Sequence, residues 1–128
     1  MEGGAEVTKI PSEEAFARAK RMMAEDSRGL DAACSELNKR FEEAMWFHRV
    51  YILSQRDVDF RAYVFFKKDK DVEDSKGNGT TTAIEDAVYK ALERYGRGKR
   101  SEIVVGFEWD SDENVDKKYD GDYLLRLR

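Results

Sequence analysis

Apolar residues recur through 82–95 (TAIEDAVYKALERY) at Ile84, Ala87, Val88, Ala91, Leu92 and Tyr95. That i, i+3, i+4, i+7, i+8, i+11 series is the stripe of a helix with one buried face. Thr82 and Glu85 stand three apart, the spacing of a capping box. Gly96 follows at the place where a helix C-terminus favours a residue that tolerates positive φ. Two more helices are predicted upstream. Ser12 caps the first, Glu13 and Glu14 favour its N-terminal dipole, and Ala15, Phe16, Ala19, Met22 and Met23 keep helical spacing. The paired methionines read as adaptable core filler. Residues 26–29 (DSRG) break that pattern, and Leu30, Ala33, Cys34, Leu37, Phe41, Ala44 and Met45 then form a second stripe. Glu36 with Arg40, and Lys39 with Glu43, are expected as i, i+4 pairs on its outer face.

From Trp46 the period switches to two. Residues 46–53 (WFHRVYIL) are rich in β-branched and aromatic types. In 58–67, Val58, Phe60, Ala62, Val64 and Phe66 alternate with Asp59, Arg61, Tyr63, Phe65 and Lys67. The short polar link 54–57 makes these two segments a β-hairpin. Tyr51, Leu53, Tyr63 and Phe65 fall on the second face, which the N-terminal helices are expected to cover; left open, it would be an aromatic patch for binding or dimerisation. Residues 68–81 (KDKDVEDSKGNGTT) read as a long loop. Residues 102–109 (EIVVGFEW) alternate again, with Ile103, Val105, Phe107 and Trp109 inward, and Gly106 marks a bulge or a close approach. A turn and one helical turn over 110–119 lead to a last strand over 122–128. The predicted order is α-α-β-β-α-β-β: an α+β domain over 12–128 with a mainly antiparallel four-stranded sheet and helices packed on it, after a flexible arm at 1–11 that Pro11 ends.

At 128 residues the chain can bury a core without disulfides or a metal. Its net charge of −4 argues against general nucleic-acid binding, which needs clustered positive charge. Its single cysteine, Cys34, permits no internal disulfide, so nothing calls for an oxidising compartment. No secretory signal and no run long enough to span a bilayer is found, so a soluble cytoplasmic protein is expected.

Candidate chemistry is thin. His48 is the only histidine, shares the register of Val50 and Ile52, and reads as a structural residue. Cys34 lies on an apolar stripe, where a thiol stays protonated. One histidine and one cysteine make no zinc set. Asp110, Asp112, Asn114 and Asp116 imitate the first ligands of a calcium loop, but Val115 and Gly121 stand where its glycine and bidentate glutamate belong, so no metal or other cofactor is expected. The residues instead suggest a small acidic binder that neutralises a protein partner, for example a basic one, in the manner of an immunity or inhibitor protein. Its contact set would be Trp109, Asp110, Asp112, Glu113, Asp116, Tyr119, Asp122 and Tyr123, carboxylates for steering and aromatics for anchoring. The alternatives are nucleic-acid or phosphate binding through Arg94, Arg97, Lys99 and Arg100, and a small-molecule pocket between helix and sheet. No catalytic set stands out.

Overall fold

The alternation through 58–67 produces the central strand of the sheet. The computed structural model describes residues 27–127, so the predicted arm at 1–11 and the helix over 12–23 lie outside the described residues. The elements are α1 (Leu30–Phe41), β1 (Phe47–Arg56), β2 (Asp59–Phe66), α2 (Asp69–Gly77), α3 (Thr80–Arg94), β3 (Val104–Ser111), α4 (Asp112–Tyr119) and α5 (Tyr123–Leu127). The strand order is β1-β2-β3, with β1 antiparallel and β3 parallel to β2.

The class is α+β, but the sheet is three-stranded and mixed, not four-stranded and mainly antiparallel. Two physical reasons account for the difference. The helical crossover of α2 and α3 returns the chain to the end of the sheet where β2 starts, so β3 must run parallel to it. The last predicted strand is instead helix α5. Asp122 accepts from the N–H groups of Leu124 and Leu125 and caps it. Consecutive positive φ values at Asp120 (52°) and Gly121 (75°) turn the chain just before it.

The expected loop at 68–81 holds α2. The Asp71 carboxylate accepts the Lys68 N–H at 3.1 Å, and Asp69 and Asp71 suit the N-terminal dipole. Asn78 then accepts the Thr80 N–H at 3.0 Å, so α3 starts two residues earlier than Thr82 and without the capping box. The α3 stripe stands as read: Ile84, Ala87, Val88, Ala91 and Leu92 are all buried. α1 stops at Phe41, which leaves Met45 87% exposed.

One core fills the space between the helices and the first sheet face. Leu30, Ala33 and Leu37 of α1 and the α3 stripe pack on Val50, Ile52, Phe60, Ala62, Val64, Phe66 and Val105. Each such large apolar side chain contributes about 1.5–3 kcal/mol when fully buried. A second cluster lies on the opposite face. Tyr63 and Phe65 of β2 meet Val115 of α4, with Tyr51, Tyr119, Tyr123 and Leu127 against them. That face is therefore covered by the C-terminal helices α4 and α5, where the sequence pointed to the N-terminal ones.

Candidate interaction surface

The acidic segment does not form one surface. The sheet separates Trp109, packed against the helix-side core, from Tyr119 and Tyr123 in the opposite cluster. Most of its carboxylates hold the chain together. Arg126 donates from Nε to Asp110 Oδ2 at 2.6 Å and from a terminal nitrogen to Glu108 Oε1 at 3.1 Å. Those Arg126 and Asp110 side chains are only 14% and 13% exposed. Arg126 also lies over the rings of Tyr63, Phe65 and Tyr119. Burial opposes its charge, but the hydrogen bonds to Asp110 and Glu108 outweigh that and raise its pKa. Glu108 mirrors this: burial favours its neutral form, yet Arg61 and Arg126 hold its carboxyl below the usual range. Asp112 accepts from the Tyr123 hydroxyl at 2.6 Å. Burial, then that bond and the Asp112 charge, push the Tyr123 phenol far up. Glu113 accepts the Asp69 N–H at 2.9 Å, and Asp122 caps α5. Asp116 and Asp122 are the exposed members of the set.

His48 does not share the register of Val50 and Ile52. A register shift between Phe47 and Arg49 turns it to the other face, where it stacks on Tyr123 and lies 3.5 Å from Asp112 Oδ1. The trio fastens α4 and α5 to β1. Among the described residues no group of three His, Cys, Asp or Glu side chains could hold a metal ion. The calcium-like stretch is not a loop: Asp110 ends β3, and Asp112, Asn114 and Asp116 lie in α4.

The basic cluster is likewise committed. Arg94 pairs with Glu36 of α1, which also accepts the Tyr95 hydroxyl at 3.0 Å. Glu36 therefore spans to α3 and does not bond the expected Arg40. The Arg94 bond chiefly lowers the Glu36 pKa and raises that of Arg94. Arg97 donates to the Arg28 carbonyl at 2.7 Å and lies 4.9 Å from the centre of the Phe60 ring. Arg100 pairs with Asp86 at 2.6 Å and sits 4.3 Å over Tyr89. Lys99 is exposed, as are the paired Arg94 and Arg100 side chains. Gly98 is explained by packing, since a Cβ there would come 2.8 Å from Ile103.

The two edges of the sheet are treated differently. On β1, Asn38 Oδ1 accepts the Val50 N–H at 2.8 Å, and its Nδ2 donates to the Val50 carbonyl at 3.3 Å. Cys34 Sγ accepts the Ile52 N–H at 3.3 Å. Burial raises the Cys34 pKa more than that bond lowers it. α1 thus occupies three backbone groups in the middle of β1 that could otherwise recruit another strand. On β3, Val104 donates its N–H to Val58. By the parallel ladder, Val104, Gly106, Glu108 and Asp110 turn their backbone toward β2, and Val105, Phe107 and Trp109 turn theirs outward. No described strand lies beyond β3.

A row of half-buried rings borders this edge on the helical face. Tyr89 is 6.1 Å from Phe107, and Phe107 stacks on Trp109 at 5.6 Å with 9° between planes. On the other face Val104 is 63% exposed, and no atom of the described residues lies within 4 Å of where a Gly106 Cβ would be. Of these residues the sequence singled out Trp109 and Gly106 and passed over Tyr89, which stands off the buried stripe of α3. Asn38 gave no signal, because its partner is 12 residues away.

Among the described residues no helix is long and apolar enough to cross a membrane. No protein-family model matches the chain, and no curated protein or solved structure shows significant similarity to it.

Proposed function

We propose that this chain is a protein-interaction domain that takes up a strand at the outer edge of β3. The observation that carries the reading is the contrast between the edges: α1 side chains bond the middle of the β1 edge at Val50 and Ile52, while β3 offers eight residues in unbroken register with no lysine or proline. Natural sheets blunt edges with such residues, bulges or covering elements. Main-chain hydrogen bonds would supply affinity, and the Tyr89–Phe107–Trp109 row would supply selectivity. Its narrower form is an inhibitor that masks its partner, supported by small size and the net charge of −4. Nucleic-acid binding through residues 94–100 would first have to break the Arg94, Arg97 and Arg100 contacts.

A photo-crosslinking residue at position 104, beside the edge, tests this against the acidic-segment reading when a second is placed at position 116. Partner trapping at 104 but not at 116 is expected. Trapping only at 116 would move the interface to α4 and overturn the edge reading.

One observation favours a second reading. A groove of about 660 Å³ runs between α1 and β1, lined by Asp31, Cys34, Asn38, Lys39, Glu42 and Arg49 among others. Its mixed charges suit a small zwitterionic ligand. Amide shifts at residues 34–39 on titration with free amino acids would support it, and unmoved amides at millimolar ligand would remove it.

A further inference from the structure

We infer that the strand taken up at β3 is β3 of a second copy of this chain, paired antiparallel about a two-fold axis at Phe107. This rests on the strand-addition reading above and names its partner.

Self-pairing must place outward-turned residues opposite each other. Centred on Phe107, it sets Phe107 against Phe107, Val105 against Trp109, Gly106 against Glu108 and Val104 against Asp110. Each of Val105, Phe107 and Trp109 then gives one N–H and one carbonyl to the ladder. No like charges stand opposite. A centre on Trp109 would set Glu108 against Asp110 on both sides of the axis. A centre on Val105 would set Glu108 against Glu102 and pair a shorter stretch of strand, and a centre on Gly106 would use only residues 104–108. Like charges directly opposite destabilise a strand pair, so the sequence of β3 favours the Phe107 register.

Gly106 supports the same arrangement. Its backbone is not in the positive-φ region, and among the described residues the space above it is empty, so their packing does not require glycine there. Arg61 of β2 is its neighbour across the ladder. In the dimer, Glu108 of one copy lies opposite Gly106 of the other. No side chain then stands between that carboxylate and Arg61 of the second copy. Arg61 already pairs with Glu108 of its own chain at 2.6 Å, so the two chains would share an alternating row of charges at the exposed end of the α4–α5 face. Val104, the most exposed apolar residue of β3, becomes covered in the same step.

Two substitutions at one position test the register. Gly106→Glu sets like charges opposite Glu108 on both sides of the axis; Gly106→Lys sets opposite charges there. Both fit the described residues, since the space there is empty among them. Circular dichroism confirms the fold of each. Sedimentation equilibrium over a wide concentration range should show a reversible dimer for the native chain. Gly106→Glu should weaken it about tenfold or more and Gly106→Lys should not. A native chain that stays monomeric throughout, or a dimer equally strong in both variants, overturns the inference. If the native chain is monomeric yet position 104 still traps another protein in a Gly106→Glu-sensitive way, strand addition stands and only the second copy falls. If neither association nor edge-dependent trapping occurs, both fall.

Discussion

Asn38 does for β1 what a neighbouring strand would do. It returns one hydrogen bond to the Val50 N–H and gives one to the Val50 carbonyl. Asn38→Ala leaves both groups without a partner and should cost about 1–3 kcal/mol in urea unfolding. Asn38→Asp keeps the acceptor and should cost less; equal stability of all three proteins would show that the contact contributes nothing. Arg126 is the second residue on which the fold depends. Arg126→Ala leaves Asp110 Oδ2 without its charged partner, while Ser111 and Asn114 still donate to Oδ1, and should destabilise the chain by about 1.5–3 kcal/mol. Lysine recovers a charge but not the fork that reaches both Glu108 and Asp110. Cys34, raised by burial, should react slowly with a disulfide reagent at neutral pH in the native chain and fast after denaturation. At this scale the sequence was partly legible. The apolar identity of Cys34 was readable from its stripe. The facing of His48 was not, because one bulge reverses parity and bulges leave little local trace.

Among the elements, α3 and the hairpin could be read because each carries a full period of buried residues. α2 could not, since it buries only Ser75 and leans on Val72, so there was no stripe to detect. α5 was misread for a different reason. Leu and Arg alternate through 125–128, the pattern of a strand, but Tyr123, Arg126 and Leu127 also share one helical face. The deciding partners, Glu108 and Asp110, lie 18 and 16 residues upstream. The direction of β3 followed from the strand–helix–strand order and was available in the sequence. The α5 clasp also predicts a pH dependence. The Glu108 carboxyl is lower in the folded chain than its unfolded value of about 4.3. Its stabilisation is therefore complete above that value and is lost as pH falls through the folded one. The thermal midpoint should drop on acidification, and Glu108→Gln should flatten that part of the curve; an unchanged slope would show that the clasp does not titrate.

For the whole molecule, the candidate contact set read from the sequence mixed two sides of one sheet. Trp109 faces the helices, while Tyr119 and Tyr123 cover the other face beneath carboxylates already bonded within the chain. A linear segment could not reveal this, because the partition is made by the sheet. What the whole fold adds is the inequality of its edges, and the central claim is that β3 is the edge left open for association. Hydrogen exchange at single amides tests that most directly. In dilute solution the Val50 and Ile52 amides should be protected by Asn38 and Cys34, while Val105, Phe107 and Trp109 exchange quickly. As concentration rises, protection should grow at those three amides of β3 and at no comparable site on β1. Slow exchange at Val105, Phe107 and Trp109 in the dilute monomer, or association that leaves them unprotected, would contradict the account.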